Sequence, residues 1–235
     1  MVPAYVSRVG GEVLVERAKQ VSESIELGVI LALVGGFMDV YSYMGRGGVF
    51  ANAQTGNILL TGVHISEGNF ALAATFFFPV LCFALGIMAS DLVHERFGNR
   101  IHWRQATVAV EALILLGVGF IDAGHNLEAN CLTSLACGMQ VESFRKIHGR
   151  GIATTMCIGN LRSALQNVDD YMITHKRGFL VNGMLYFGVI ACFVAGAVLG
   201  NWCLDRFGLS SIALCSLLLF VAFCLMFSDR EASND

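Results

Sequence analysis

Hydrophobic positions in this chain fall in long, nearly unbroken runs rather than in the one-sided stripe of a half-buried soluble helix. A bilayer needs about 20 apolar residues, fewer or more with tilt. Six runs approach that length: 27–44, 70–93, 106–121, 127–144, 179–204 and 209–227. The third and fourth are short and only Asp122 to Asn126 separates them, so a tight hairpin is expected there. Two more segments, 49–65 and 152–168, are apolar but interrupted by Asn, Gln, Thr and Gly. Hydropathy alone leaves them open between crossing the membrane and dipping into it.

Charge chooses between the two. With the N-terminus inside and only the six strong runs crossing, thirteen of the fifteen lysines and arginines face the cytoplasm. Arg46 and Arg206 alone lie outside. That is the positive-inside bias of an inserted protein. Letting the interrupted segments cross would move Arg96, Arg100 and Arg104 outside and blur it. The expectation is six spans, both termini cytoplasmic, and two dips.

The pattern also repeats. Gly35, Asp39, Gly48, Gly56 and Asn57 recur 103 positions later as Gly138, Glu142, Gly151, Gly159 and Asn160. Phe83, Gly86, Glu95, Arg96, Phe97 and Gly98 recur 110 positions later as Phe193, Gly196, Asp205, Arg206, Phe207 and Gly208. Three spans per copy is an odd number, so the second copy must enter the membrane upside down relative to the first. The expected fold is all-α: a polytopic membrane protein of two inverted three-helix repeats, with a broken or re-entrant segment in each. Its parts are a cytoplasmic segment 1–24, a first repeat 25–122, a second repeat 123–228 and a polar tail 229–235.

Composition agrees. Hydrophobic residues make up 55% and charged residues 14%, against about 25% charged in soluble domains. The net charge of −3 and the lack of a long basic stretch argue against nucleic acid as a partner. Residues 1–24 have no apolar core of a cleaved signal, so the first span is expected to stay as an anchor. The eight cysteines form no C-x-x-C pair and no histidine sits at ligand spacing beside them. They read as small apolar filler, with no metal or cofactor expected.

Candidate chemistry gathers at the dips. The first carries Gln54, Thr55, Gly56 and Asn57; the second carries Thr154, Thr155, Gly159 and Asn160, with Gln140 shortly before it. Thr55 and Thr154 are candidate N-caps. A helix starting inside the membrane turns a partial positive end toward an anion or a carbonyl oxygen. The alternative is structural: glycines for close packing and amides that tie helices together.

Asp39, late in the first span, is the sharpest signal, because an acid in lipid normally faces a cavity or a partner. Its repeat mate Glu142 has Arg145 one turn away as an ion-pair partner. Glu111 lies inside the third span without a near basic residue; it is a proton carrier, like Asp39, or a protonated acid tying two helices. Substrate binding is therefore expected at Asp39, Gln140 and Glu142 together with the dip residues. Pro79 should kink the second span, while Gly86 and Ser90, like Gly196 and Gly200, make small-residue packing faces.

Gly35-x-x-x-Asp39, the region from Phe50 to Thr55-Gly56-Asn57, and Gly138-x-Gln140 with Thr154-Thr155 resemble the YoaK family of small bacterial membrane proteins, over about residues 25 to 227. The resemblance implies a six-span protein of the bacterial inner (plasma) membrane in a family filed as a domain of unknown function; it supplies no substrate. Val141 after Gln140, and Ile158 before Gly159, depart from the family pattern and imply a second half that binds less, or differently.

The reading is a small secondary transporter or half-transporter for an unknown small solute, paired as a homodimer. The alternative is a membrane interaction or regulatory protein that transports nothing. No hydrolase or metalloprotease motif is present, so an enzyme is not expected.

Overall fold

The computed structural model describes residues 24–97, 103–147 and 150–227. Within them the chain is almost wholly helical: α1 (Ile25–Gly45), α2 (Gln54–Ser66), α3 (Phe70–Phe97), α4 (Trp103–Val118), α5 (Asn126–Ser143), α6 (Cys157–Thr174), α7 (Arg177–Phe207) and α8 (Ala213–Phe227). Short 3-10 turns join α4 to α5 and α7 to α8. A minimal antiparallel ladder pairs Lys146 with Gly151 and Ile147 with Arg150. Apart from Ser24, the polar termini expected at 1–24 and 229–235 lie outside the described residues, as do Gly98, Arg100 and His148.

Three described stretches are long and apolar enough to cross a membrane: Ile25–Gly45, Phe70–Arg96 and Arg177–Met226, the last taking in both α7 and α8. The hairpin helices α4 and α5 stand where spans were expected but do not reach that mark. At 16 residues, α4 is only about 24 Å long. The 18 residues of α5 include Asn130, Thr133, Ser134, Gln140 and Ser143, all buried against protein.

Local signals explain the helix limits. Ser24 caps α1 by accepting from the N–H of Leu27 at 3.2 Å. Gly47 and Gly48 then take φ of +88° and +79°, a region that favours glycine, and the chain reverses. Residues 49–53 run as a non-helical leader into α2, and 152–156 do the same for α6. The long helix α3 continues through Pro79 rather than ending there.

The principal packing pairs cross the two halves: α1 lies along α7, and α3 along α5. Each short helix lies on the long one that follows it, α2 on α3 and α6 on α7. Glycines set both crossings. A Cβ on Gly36 would collide with the carbonyl oxygen of Phe193, and one on Gly196 with that of Leu33. At the other crossing, Gly86 meets the Leu135 carbonyl and Gly138 that of Phe83. The small-residue faces therefore pack within one chain. Ser90 adds a bond from its hydroxyl to Met139 O at 3.3 Å.

Arg46, expected on the outer side of the membrane, is fully buried within the protein just past α1. Its guanidinium donates to the carbonyl oxygens of Val118, Ile121 and Asp122, where α4 ends, and to Asn126 Oδ1 at the start of α5. It also donates to Tyr41 Oη at 2.8 Å, which in turn donates to Leu209 O. The turns after α1, α4 and α7 are thereby tied together at one end of the molecule. In the α4–α5 turn, His125 hydrogen-bonds the exposed Asp122 carboxylate at 2.9 Å. That contact holds Asp122 below the usual carboxylate range and lifts His125 above its own.

Candidate functional site

The two leaders meet at a cavity of about 640 Å³. From α1 it takes Asp39, Val40 and Tyr43; from the first leader Phe50, Asn52 and Ala53; from the second Thr155 and Met156. The opening residues of α2 (Gln54 to Gly56) and of α6 (Cys157 to Gly159) complete its polar side, and Phe83 and Phe193 its apolar one. Tyr43 and Phe50 stack at 4.7 Å between ring centroids. The Phe50 ring also lies where a Gly56 Cβ would be, 2.7 Å from that position, so only glycine lets it fill the wall there.

Asp39 organises the first leader. Its Oδ1 accepts from the backbone N–H of Asn52 at 2.7 Å and of Ala53 at 3.4 Å. The Asn52 amide nitrogen donates to Gly35 O at 3.1 Å, which leaves Asn52 Oδ1 as a buried acceptor with no partner. The Thr155 hydroxyl is likewise buried without one.

Both leaders are held by an asparagine seven residues on. Asn57 Oδ1 accepts from Phe50 N–H at 3.0 Å and its Nδ2 donates to Phe50 O at 2.8 Å. Asn160, 103 positions later, donates to Ala153 O at 2.6 Å. These side chains reach back from the helices to backbone that no sheet or helix satisfies. That arrangement corrects the expected N-caps. Ala53 and Met156 occupy the cap positions and make no side-chain bond. Thr55 is already inside α2, and Thr154 precedes α6 and accepts from Gln140 Nε2 at 3.3 Å.

Residues 27–225 match the family described as protein of unknown function DUF1275. The chain belongs to that family. It is also similar to the UPF0700 transmembrane protein YoaK of Bacillus subtilis (strain 168), 26% identical over 181 residues, or 72% of this chain and 79% of that one. The family resemblance carried by the Thr-Gly-Asn and Gly-x-Gln elements is thus borne out. No solved structure matches.

In this DUF1275 chain the cavity gathers six of the expected site residues: Asp39, Gln54, Thr55, Gly56, Thr155 and Gly159. Asn57, Asn160, Gln140 and Thr154 stand behind its wall as struts. Glu142 is elsewhere, in the expected ion pair with Arg145. Glu111 is fully buried in α4 with neither carboxyl oxygen hydrogen-bonded, and it does not line the cavity. Sequence reasoning missed Asn52, the phenylalanines and Arg46. A signal existed for some of them: Asn52 and Thr155 are mates at the 103 offset, Phe83 and Phe193 at the 110 offset.

The struts carry a prediction. Asn57→Ala strips both backbone partners from Phe50, at about 1–3 kcal/mol per buried group left unsatisfied. Asn160→Ala removes only one bond, so unfolding in mixed micelles should show the larger loss for Asn57→Ala. Equal losses would sink the strut account.

Proposed function

We propose that this chain is an integral membrane protein that moves a small solute, as a secondary transporter or a half-transporter paired as a homodimer. It acts as a carrier and not as an enzyme. In this reading six helices span a bacterial inner membrane as two inverted repeats, with both termini cytoplasmic. The crossed pairing of α1 with α7 and α3 with α5 supports the reading, because these two contacts exchange under the repeat's own numbering. The shared end made by Arg46, Asp122 and Leu209 supports it too, since those turns all fall outside in the charge-derived topology. Exposed Phe77, Phe78, Met88, Val194 and Val198 on α3 and α7 offer lipid an apolar surface.

The observation that carries the proposal is the cavity between two interrupted segments, with Asp39 in its wall. Non-helical backbone at membrane depth is tolerated where it lines a cavity or is buried in protein, and carriers place substrate sites at such breaks. Asp39 then serves as the group whose charge is coupled to solute or proton, and Glu111 as a second proton carrier. Uptake into proteoliposomes of labelled amines, amino acids, carboxylates and sugars tests this. Asp39→Asn is expected to abolish uptake at least about tenfold below wild type. No solute accumulating over protein-free vesicles removes the transport reading; equal uptake by the variant removes the role of Asp39.

A further inference from the structure

The cavity has two polar poles of opposite kind. At the first, Asp39 is the acid and Asn52 Oδ1 an orphaned acceptor; Asn52 is only 5% exposed, and its bond to Gly35 O fixes which amide atom remains free. Both atoms are acceptors on residues that line the cavity, a pairing that suits an N–H donor that carries positive charge. At the second pole, α6 begins at Cys157 with no side-chain cap, so its first-turn N–H groups lack intrahelical acceptors. Thr155, also 5% exposed, brings an unpartnered hydroxyl to the same place. Its Cγ2 lies 2.9 Å from where a Gly35 Cβ would stand, and Gly35 O is the atom that holds Asn52. The two poles are therefore neighbours.

The repeat explains why they differ. The leader amides of α2 are already given to Asp39. The mate of Asp39 is Glu142, which is spent on Arg145 away from the cavity, so the α6 amides have no acid of their own. Among the described residues, no Lys, Arg or His lines the cavity. A bare anion would meet Asp39 without a counter-charge, and a bare amine would leave the α6 pole empty. The remaining lining includes Val40, Phe50, Phe83 and Phe193, an apolar wall for the rest of a molecule.

We propose that the cavity binds a small zwitterion, an α-amino acid with an apolar side chain, ammonium toward Asp39 and Asn52 Oδ1, carboxylate toward Thr155 and the first turn of α6. The proposal deepens the carrier reading by naming its substrate class. Calorimetric titration of the purified full-length chain in micelles with three near-isosteric probes tests it: L-leucine, isoamylamine (no carboxylate) and isocaproate (no ammonium). Leucine should bind tightest, each truncated probe weaker by about 10- to 100-fold. Asp39→Asn should weaken leucine and isoamylamine and spare isocaproate; Thr155→Val should weaken leucine and isocaproate and spare isoamylamine. A truncated probe binding as well as leucine, or leucine silent at about 10 mM, overturns the proposal on the wild-type protein alone, whether or not the variants fold. Leucine binding without uptake would refute transport and leave this inference standing. Uptake of another solute class without leucine binding would do the opposite.

Discussion

Replacing Arg46 with methionine is expected to cost this protein most of its folded population. The guanidinium is fully buried, and carbonyl oxygens at the end of α4, the negative end of a helix, meet its charge. Methionine keeps the volume and removes every donor. Val118 O, Ile121 O, Asp122 O, Asn126 Oδ1 and Tyr41 Oη all lose a partner at once. At about 1–3 kcal/mol for each buried group left unsatisfied, and less for Ile121 O, Asp122 O and Asn126 Oδ1, which are only part-buried, the loss is a large share of the roughly 5–15 kcal/mol that holds a domain together. Lysine should rescue only in part, because a point charge cannot serve the five acceptors that the planar fork reaches. Yield of monodisperse protein and midpoint of thermal unfolding in detergent give the readout. A methionine variant that melts with wild type would mean the turns after α1, α4 and α7 are held by something else.

The glycines at the helix crossings should give the second large effect, and with a sign that depends on position. Gly36→Ala and Gly138→Ala each drive a methyl group into a carbonyl oxygen of the facing helix, which is backbone and cannot swing aside. Forcing atoms into a packed contact typically costs 1–3 kcal/mol, sometimes more, and the crossing of α1 on α7 or α3 on α5 must open to relieve it. Gly35→Ala meets side-chain atoms and no backbone, Thr155 Cγ2 at 2.9 Å and the Phe193 ring at 3.5 Å; its cost should be smaller and should show in the cavity. Gly62 faces open space inside α2, so alanine there is expected to stabilise, by up to about 1 kcal/mol from helix propensity. One unfolding series over these four variants decides it. A uniform response would show that the crossings are not set by close backbone approach.

Much of this architecture was legible in the chain because it rests on local chemistry. Apolar runs have no alternative to burial or lipid, so the eight described helices fall at the six runs and the two interrupted segments. Gly47 and Gly48 announce a reversal that few other residues allow. The pairing of Glu142 with Arg145 follows from helical spacing and holds. Even the difference between Asp39 and its mate follows from which of them had a basic neighbour in sequence.

What the chain could not disclose depends on atoms brought together from far apart. Arg46 reads as an ordinary outside charge until α4 presents its last carbonyls 72 to 76 residues later. Thr55 and Thr154 have the right residue type for caps, yet the leaders stay non-helical to Ala53 and Met156 because Asn57 and Asn160 reach back to hold them. A cap is a local choice; this clamp wins because it also satisfies buried backbone. The sequence alone determined the helices and the family. Only the tertiary structure decided that the two interrupted segments face one cavity, that Asn52 and Thr155 are left with unspent hydrogen bonds in its wall, and that Glu142 and Glu111 stand apart from it. Hydropathy and repeat spacing are properties of one strand of chain, whereas an orphaned acceptor exists only once every neighbour has been placed.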